Sequence, residues 1–398
     1  MKWLIAGIAG CMAVAFAATL HLLGILNVWN DTARDWQLRT QMVMGGNAQK
    51  PVFRVAFQDD GVSPFPPERL DYALVMNAMA PVEPKVLGLD LPLAGDDTVF
   101  PVHDQQLLHV AQKFGKIVLS AEAGDPGSGA VPPNVPVIPS KGSIQSVSLL
   151  KVGEWPGKFA AGMTVAPQPL RPDLDGITRR LPLVVREGKL LYPTWILSVV
   201  GATLHADWEK SVAEPGEFIL LRKADATEVA KIPIDSYGMI RIAPSMVGGV
   251  KALDPWDIVE KREYFLRGDI KSEPFEELRS AVVLVGLESK EFSPPVNTPD
   301  GWRSPFQVVS ETVALLLSGK LVPEAPGGWV WGMLIWLGLG VPMLSCLGRW
   351  YVGMPLGALA IFLPLLWEHA FLLPWASLVV AAGAGLLAGI SIRVAKYS

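Results

Sequence analysis

The chain has 398 residues, is 50% hydrophobic but only 18% charged, and carries a formal net charge of −4 at pH 7. That balance, with no basic run in the polar part, argues against a nucleic-acid partner. So low a charge fraction is below that of an ordinary soluble domain and points to segments that live in a bilayer. The two cysteines, Cys11 and Cys346, both fall in apolar stretches, so the polar part is expected to fold without a disulfide.

The first element is an apolar run, Trp3–Leu26, preceded by Lys2. It is longer than a signal-peptide core and reads as a retained anchor, with a cleaved signal as the alternative. Asn27–Lys50 has apolar positions three to four apart and reads as a helix that Pro51 ends. Val52–Phe57 is a buried-type strand followed at once by Gln58-Asp59-Asp60-Gly61. Pro66-Pro67-Glu68-Arg69 opens a helix through Ala80. Lys85–Leu91 is a strand with Asp90 near its end, Asp104–Phe114 a helix and Lys116–Ala121 a third strand. This alternation predicts a mostly parallel sheet with helices on its faces.

Gly124–Lys141 is rich in Gly, Pro and Ser and reads as a loop. Ser143–Leu149 is a candidate strand. Gly162–Val165 and Gly176–Val185 frame the segment Arg171–Gly176, where Asp175-Gly176 marks a tight turn. Thr194–Leu204 is predicted helical. Phe218–Leu221, Val229–Ile234 and Met239–Ile242 are predicted strands, with a turn at Asp235–Gly238. Leu253–Glu260 reads as a short helix, Ala281–Gly286 as a fully buried strand, Pro294–Ser304 as a loop and Pro305–Ser318 as a helix.

The C-terminal block contains three more apolar runs, Trp329–Leu347, Tyr351–Trp367 and Phe371–Ile392, each near the length that crosses a bilayer. Their short connections predict an antiparallel bundle. Lys2, Arg349, Arg393 and Lys396 all fall on one side if both termini are cytoplasmic, which places the polar middle outside the cytoplasm. The expected organisation is therefore an anchor at 1–26, an extracytoplasmic domain at 27–326 and a three-helix transmembrane region with a short tail at 327–398. The expected fold class is α/β, a mostly parallel sheet flanked by helices, joined to an α-helical transmembrane bundle.

The order of these landmarks resembles the type-2 CHASE domain, an extracytoplasmic sensory module of bacterial receptors. Phe65 to Arg69 is similar to that family's helix opening, Lys85–Leu91 to its second strand, and Asp173 to Leu183 to its most distinctive motif. Asp235 to Ile242, Ala281–Gly286 and Asn297-Thr298-Pro299 complete the pattern. Two positions depart from it: Val309-Ser310-Glu311 stands where the family often has His-Ala, and Leu287-Glu288-Ser289 where small residues and an aspartate are usual. The resemblance implies an inner-membrane sensor whose domain binds a ligand or partner. Relatives typically continue into a kinase or cyclase, so a separate effector polypeptide is expected here.

Asp59, Asp60 and Asp90 are expected to end two adjacent parallel strands, where ligands of open α/β sheets bind. The alternative is that they hold loop amides. Asp175 with Arg179 and Arg180 is a second candidate, since paired arginines grip carboxylate or phosphate; the alternative is a turn with local ion pairs. The five histidines lack metal-ligand spacing, and no nucleophile motif is present. No metal, no cofactor and no catalytic residue is expected. The expected partners are the lipid bilayer, an unidentified small-molecule ligand, and an effector or envelope complex. A scaffold role in an envelope assembly is the alternative function, and an exported metal-dependent hydrolase a third.

Overall fold

A computed structural model describes residues 11–12, 14–20, 29–31, 35, 52–62, 64–95, 97–121, 131–132, 134–150, 155–160, 163–168, 176–242, 250–291, 293–319, 321 and 335. The chain divides into two compact units, Asn47–Leu321 and the pair of segments Met1–Gly46 and Val322–Ser398. In the second of these, the described stretches 11–12, 14–20 and 29–31 are helical, with Met12, Phe16 and Trp29 exposed and Ala17, Asn30 and Asp31 buried. Among the described residues no helix is long and apolar enough to cross a membrane. The expected C-terminal spans lie outside the described residues apart from Ile335, as do most of Trp3–Leu26 and Asn27–Lys50.

In Asn47–Leu321 the elements are β1 (Val52–Gln58), α1 (Arg69–Met79), β2 (Val86–Asp90), α2 (Pro101–Ala111), β3 (Ile117–Ala121), β4 (Thr164–Pro167), β5 (Arg180–Pro182), β6 (Val184–Glu187), β7 (Leu190–Pro193) and α3 (Trp195–Leu204). Then follow β8 (Asp207–Glu214), β9 (Phe218–Arg222), β10 (Glu228–Pro233), β11 (Met239–Arg241), β12 (Lys251–Leu253), α4 (Pro255–Arg267), β13 (Val282–Glu288), β14 (Val296–Thr298), β15 (Gly301–Arg303) and α5 (Pro305–Ser318).

Six strands form an all-parallel sheet in the order β12-β1-β13-β2-β3-β4. The crossovers β1-α1-β2, β2-α2-β3 and β12-α4-β13 all step the same way across the sheet. Right-handed crossovers must then lay α1, α2 and α4 on one face. Tyr72, Val75, Met76, Leu107, Val110 and Ile258 pack there on Phe53, Val55, Leu87, Leu119 and Val283. The opposite face is covered by α3 and α5 through Trp195, Val199, Phe306 and Val313, against Ala56, Val86, Val118 and Leu284. Alternate residues of β13 therefore serve opposite cores, which is why it reads as an unbroken apolar run. Two strand glycines admit close approach. A Cβ on Gly88 would lie 2.7 Å from Leu284 and 2.8 Å from Trp195, and one on Gly286 2.5 Å from the Phe306 ring.

Several expectations are corrected. Asp59 and Asp90 do not end adjacent strands, because β13, from far later in the chain, is inserted between β1 and β2. Ser143–Leu149 is turns and bends rather than a strand, with Leu149 bridged to Arg186 and the Gln145, Val147 and Ser148 carbonyls accepting from Arg186. Pro294–Ser304 contains the β14–β15 hairpin. The prolines at 66 and 67 precede α1, whose N-cap is Glu68 in a capping box with Asp71. Helix α2 begins at Pro101, and α4 extends to Arg267. Strands β7, β8 and β12 were not expected: β8 carries Asp207, Glu209 and Lys210 and pairs with β9, while β12 is three residues on the sheet edge.

Candidate functional site

A parallel sheet delivers all its strand ends to one edge, and each following helix begins there. Across this carboxyl edge, in sheet order, stand the ends of β12, β1, β13, β2, β3 and β4. Asp59 and Asp60 follow β1. Asp59 accepts the Gly61 N–H (3.0 Å) and the Ser289 hydroxyl (2.9 Å), and Asp60 accepts the Val62 N–H (2.8 Å). Both thus hold loop amides in Asx turns, and Asp59 also ties β1 to β13.

Asp90 is level with Gly286, whereas Asp59 lies one residue beyond the Gln58–Glu288 pair. Two inter-strand steps separate them by about 10 Å sideways, and three residues add about 10 Å along the strands. Carboxylates that far apart do not share one cation. Among the described residues there is no group of three metal-binding side chains.

A charged cluster sits above the same edge on the α1/α2 face. Asp104 is fully buried, and both its oxygens are engaged: Arg69 Nη1 donates to one, and Lys158 (2.6 Å) and the Asp97 N–H (2.9 Å) meet the other. Arg69 also donates to the carbonyls of Ala94 (3.0 Å) and Gly95 (3.2 Å) and stacks its guanidinium over Phe159. Burial pushes the Asp104 carboxyl up, but Arg69, Lys158 and the Asp97 amide more than offset it and hold it below the usual range. Only the similarity of Phe65 to Arg69 to a known motif drew notice to Arg69. Nothing in the local pattern marked Asp104 or Lys158.

On the α5 face, Glu288 accepts from Arg54 Nη1 (2.6 Å) and the Ser304 hydroxyl (2.7 Å). Next to it, Glu311 accepts from Arg303 Nη1 (2.8 Å) and Gln307 Nε2 (2.9 Å). Glu311 is almost wholly buried; that burial raises its pKa, and Gln307, Arg303 and Arg54 only partly offset the rise. The network thus joins β1, the first strand of the unit, to α5, its last helix.

Asp175 lies outside the described residues. Arg179 is buried, and its carbonyl accepts the Ile242 N–H (2.8 Å). Arg180 Nε is 3.8 Å from Asp235. The Thr178 N–H donates to Asn297 O (2.7 Å), which fastens this segment to the β14–β15 hairpin. Arg180→Gln is expected to cost less than about 1 kcal/mol, read as a urea midpoint within error of the parent; a large loss would mean that the charge at this position is worth more than a partly exposed ion pair.

The family description of the CHASE2 domain matches residues 11–344, well over half of the chain. The chain belongs to the CHASE2 family. CHASE2 domains are extracytoplasmic sensory modules, so the sheet described above is a sensory domain. Comparison with curated proteins and with solved structures finds no match. The CHASE2 assignment covers both polar clusters and the strand ends between them.

Proposed function

We propose that this CHASE2 protein is a membrane-anchored sensor that binds rather than catalyses. The carboxyl edge of its sheet receives a small-molecule ligand or partner, and the flanking apolar segments pass the change to an effector. The observation that supports this most is the Arg54–Glu288–Ser304 link beside Arg303–Glu311. It connects the carboxyl edge to β1 and α5, the two elements on which the chain comes into the unit and leaves it. A ligand can shift such a domain only by binding its two arrangements unequally, and a network spanning both elements gives those arrangements something to differ in.

Asp90→Asn in the full chain tests the ligand edge. The expected result is a melting temperature close to that of the parent with the signalling output lost. An unaltered output removes Asp90 from the site. Purification of the full chain in mild detergent then identifies the effector.

A scaffold reading is favoured by one feature of the same edge. Val62, Val99, Phe100, Trp256 and Trp302, at the tips of its loops and helix starts, are exposed. Stoichiometric co-purification with an envelope assembly, abolished by Trp302→Ser, is the outcome that selects it.

A further inference from the structure

The opposite, amino edge of the sheet carries a group of cations that the sensory reading does not use. Lys85 precedes β2 and Lys116 precedes β3; these strands are hydrogen-bonded neighbours, with the Leu87 N–H donating to Lys116 O (3.0 Å). Helix α3 ends against them. Lys116 Nζ donates to Ala202 O (3.0 Å) and lies 2.7 Å from Nδ1 of His205. An ammonium has no acceptor, so that nitrogen of His205 is unprotonated and receives the bond. His205 is exposed and closes α3 in a left-handed conformation, φ 57°.

The charges that act on His205 are all positive. Lys116 first, with burial, Lys85 and Lys223, holds its imidazole below the ordinary range. Burial and then Lys85 hold the Lys116 ammonium down as well. At the same edge, Lys251, Arg262 and Arg279 are each paired with a glutamate, Glu277, Glu273 and Glu276. Among the described residues no carboxylate pairs with Lys85, Lys116 or Lys223. A cation over the C-terminal carbonyls of a helix is stabilising, which accounts for Lys116. It does not account for gathering Lys85, Lys223 and a histidine around it, where Asp225, on which the Lys223 charge acts, is the acidic neighbour.

We propose that Lys85, Lys116, Lys223 and His205 form a binding site for a phosphate group. A phosphate brings close to two negative charges and several acceptor oxygens, which meet three ammonium groups and an imidazole donor. The site shares its edge with both chain connections of the unit, since β1 begins there and α5, running back from the carboxyl edge, ends there. The phosphate is therefore either that of an anionic lipid headgroup or that of a soluble compound. The site is independent of the carboxyl-edge reading, whose Asp90 test is unaffected by the outcome here.

The test uses the full chain in two settings, zwitterionic detergent titrated with inorganic phosphate and nanodiscs of phosphatidylcholine with or without phosphatidylglycerol. The readouts are the melting temperature and the rate at which diethyl pyrocarbonate modifies His205, followed by mass spectrometry. Phosphate at about ten times its dissociation constant is expected to raise the melting temperature by roughly 3 °C and to slow modification of His205 several-fold, with chloride at equal ionic strength inactive. Protection by inorganic phosphate assigns a soluble source; protection by phosphatidylglycerol alone assigns a headgroup. Lys85→Gln with Lys223→Gln, whose side chains hold no hydrogen bond among the described residues, is expected to abolish either response without unfolding the chain. His205→Gly suits the left-handed backbone and is expected to weaken the melting response while remaining folded. Absence of protection by both probes, or an undiminished response in the double variant, overturns the proposal.

Discussion

Asp104→Asn is expected to destabilise the Asn47–Leu321 unit by about 3 kcal/mol or more, the usual cost of breaking a buried ion pair from one side. The variant leaves Arg69 and Lys158 facing a neutral amide, while Arg69 keeps the Ala94 and Gly95 carbonyls. The pH dependence has a definite sign. The Asp104 carboxyl is held lower in the fold than in the unfolded chain, so its contribution is present above the unfolded value near pH 4 and is lost as pH falls through the folded value. The gap between Asp104→Asn and the parent should thus be widest at neutral pH and narrow below about pH 4. Denaturant unfolding at pH 7 and pH 3.5 measures it, and a cycle with Arg69→Gln isolates the pair. Equal midpoints at pH 7 would show that the charges are not mutually dependent.

Trp195→Ala is expected to cost about 3–5 kcal/mol, the range for removing a buried aromatic ring. Trp195 is wholly buried between α3 and the sheet, its ring set against Gly88 of β2, and its Nε1–H donates to Val118 O of β3 (3.0 Å). The alanine variant loses the packing and leaves a buried carbonyl short of a donor. Trp195→Phe keeps most of the ring and forfeits the hydrogen bond, so about 1 kcal/mol is expected. Urea midpoints for the two variants separate packing from hydrogen bonding. A small effect of the alanine variant would mean that α3 does not lie over β2 and β3 as described.

Legibility differed sharply between elements. β1, β2, β3 and β13 were readable because strands covered on both faces need apolar residues at every position, and that run is visible without any partner. Pro305–Ser318 was readable from its proline start and apolar spacing. β8 was not, because half its residues are charged and its strand character comes from pairing with β9. The β14–β15 hairpin was hidden for the same reason, its strands being only three residues each.

The candidate site divides along the same line. Asp59 and Asp60 were found from their place after a strand, but their geometry as loop-holding side chains needed Gly61, Val62 and Ser289 in position. What the amino-acid order determined alone is local: the fully buried strands and the helices with clear starts, that the main sheet is mostly parallel, and that the family is CHASE2. What only the tertiary structure decided is who neighbours whom. The insertion of β13 between β1 and β2 separates Asp59 from Asp90, and the same packing brings Asp104 to Arg69 across 35 positions and Glu288 to Arg54 across 234. The physical reason is that apolar periodicity is set by each segment's own exposure, whereas strand order and buried charge pairs are set by how separate segments share one core, and no local pattern carries that information.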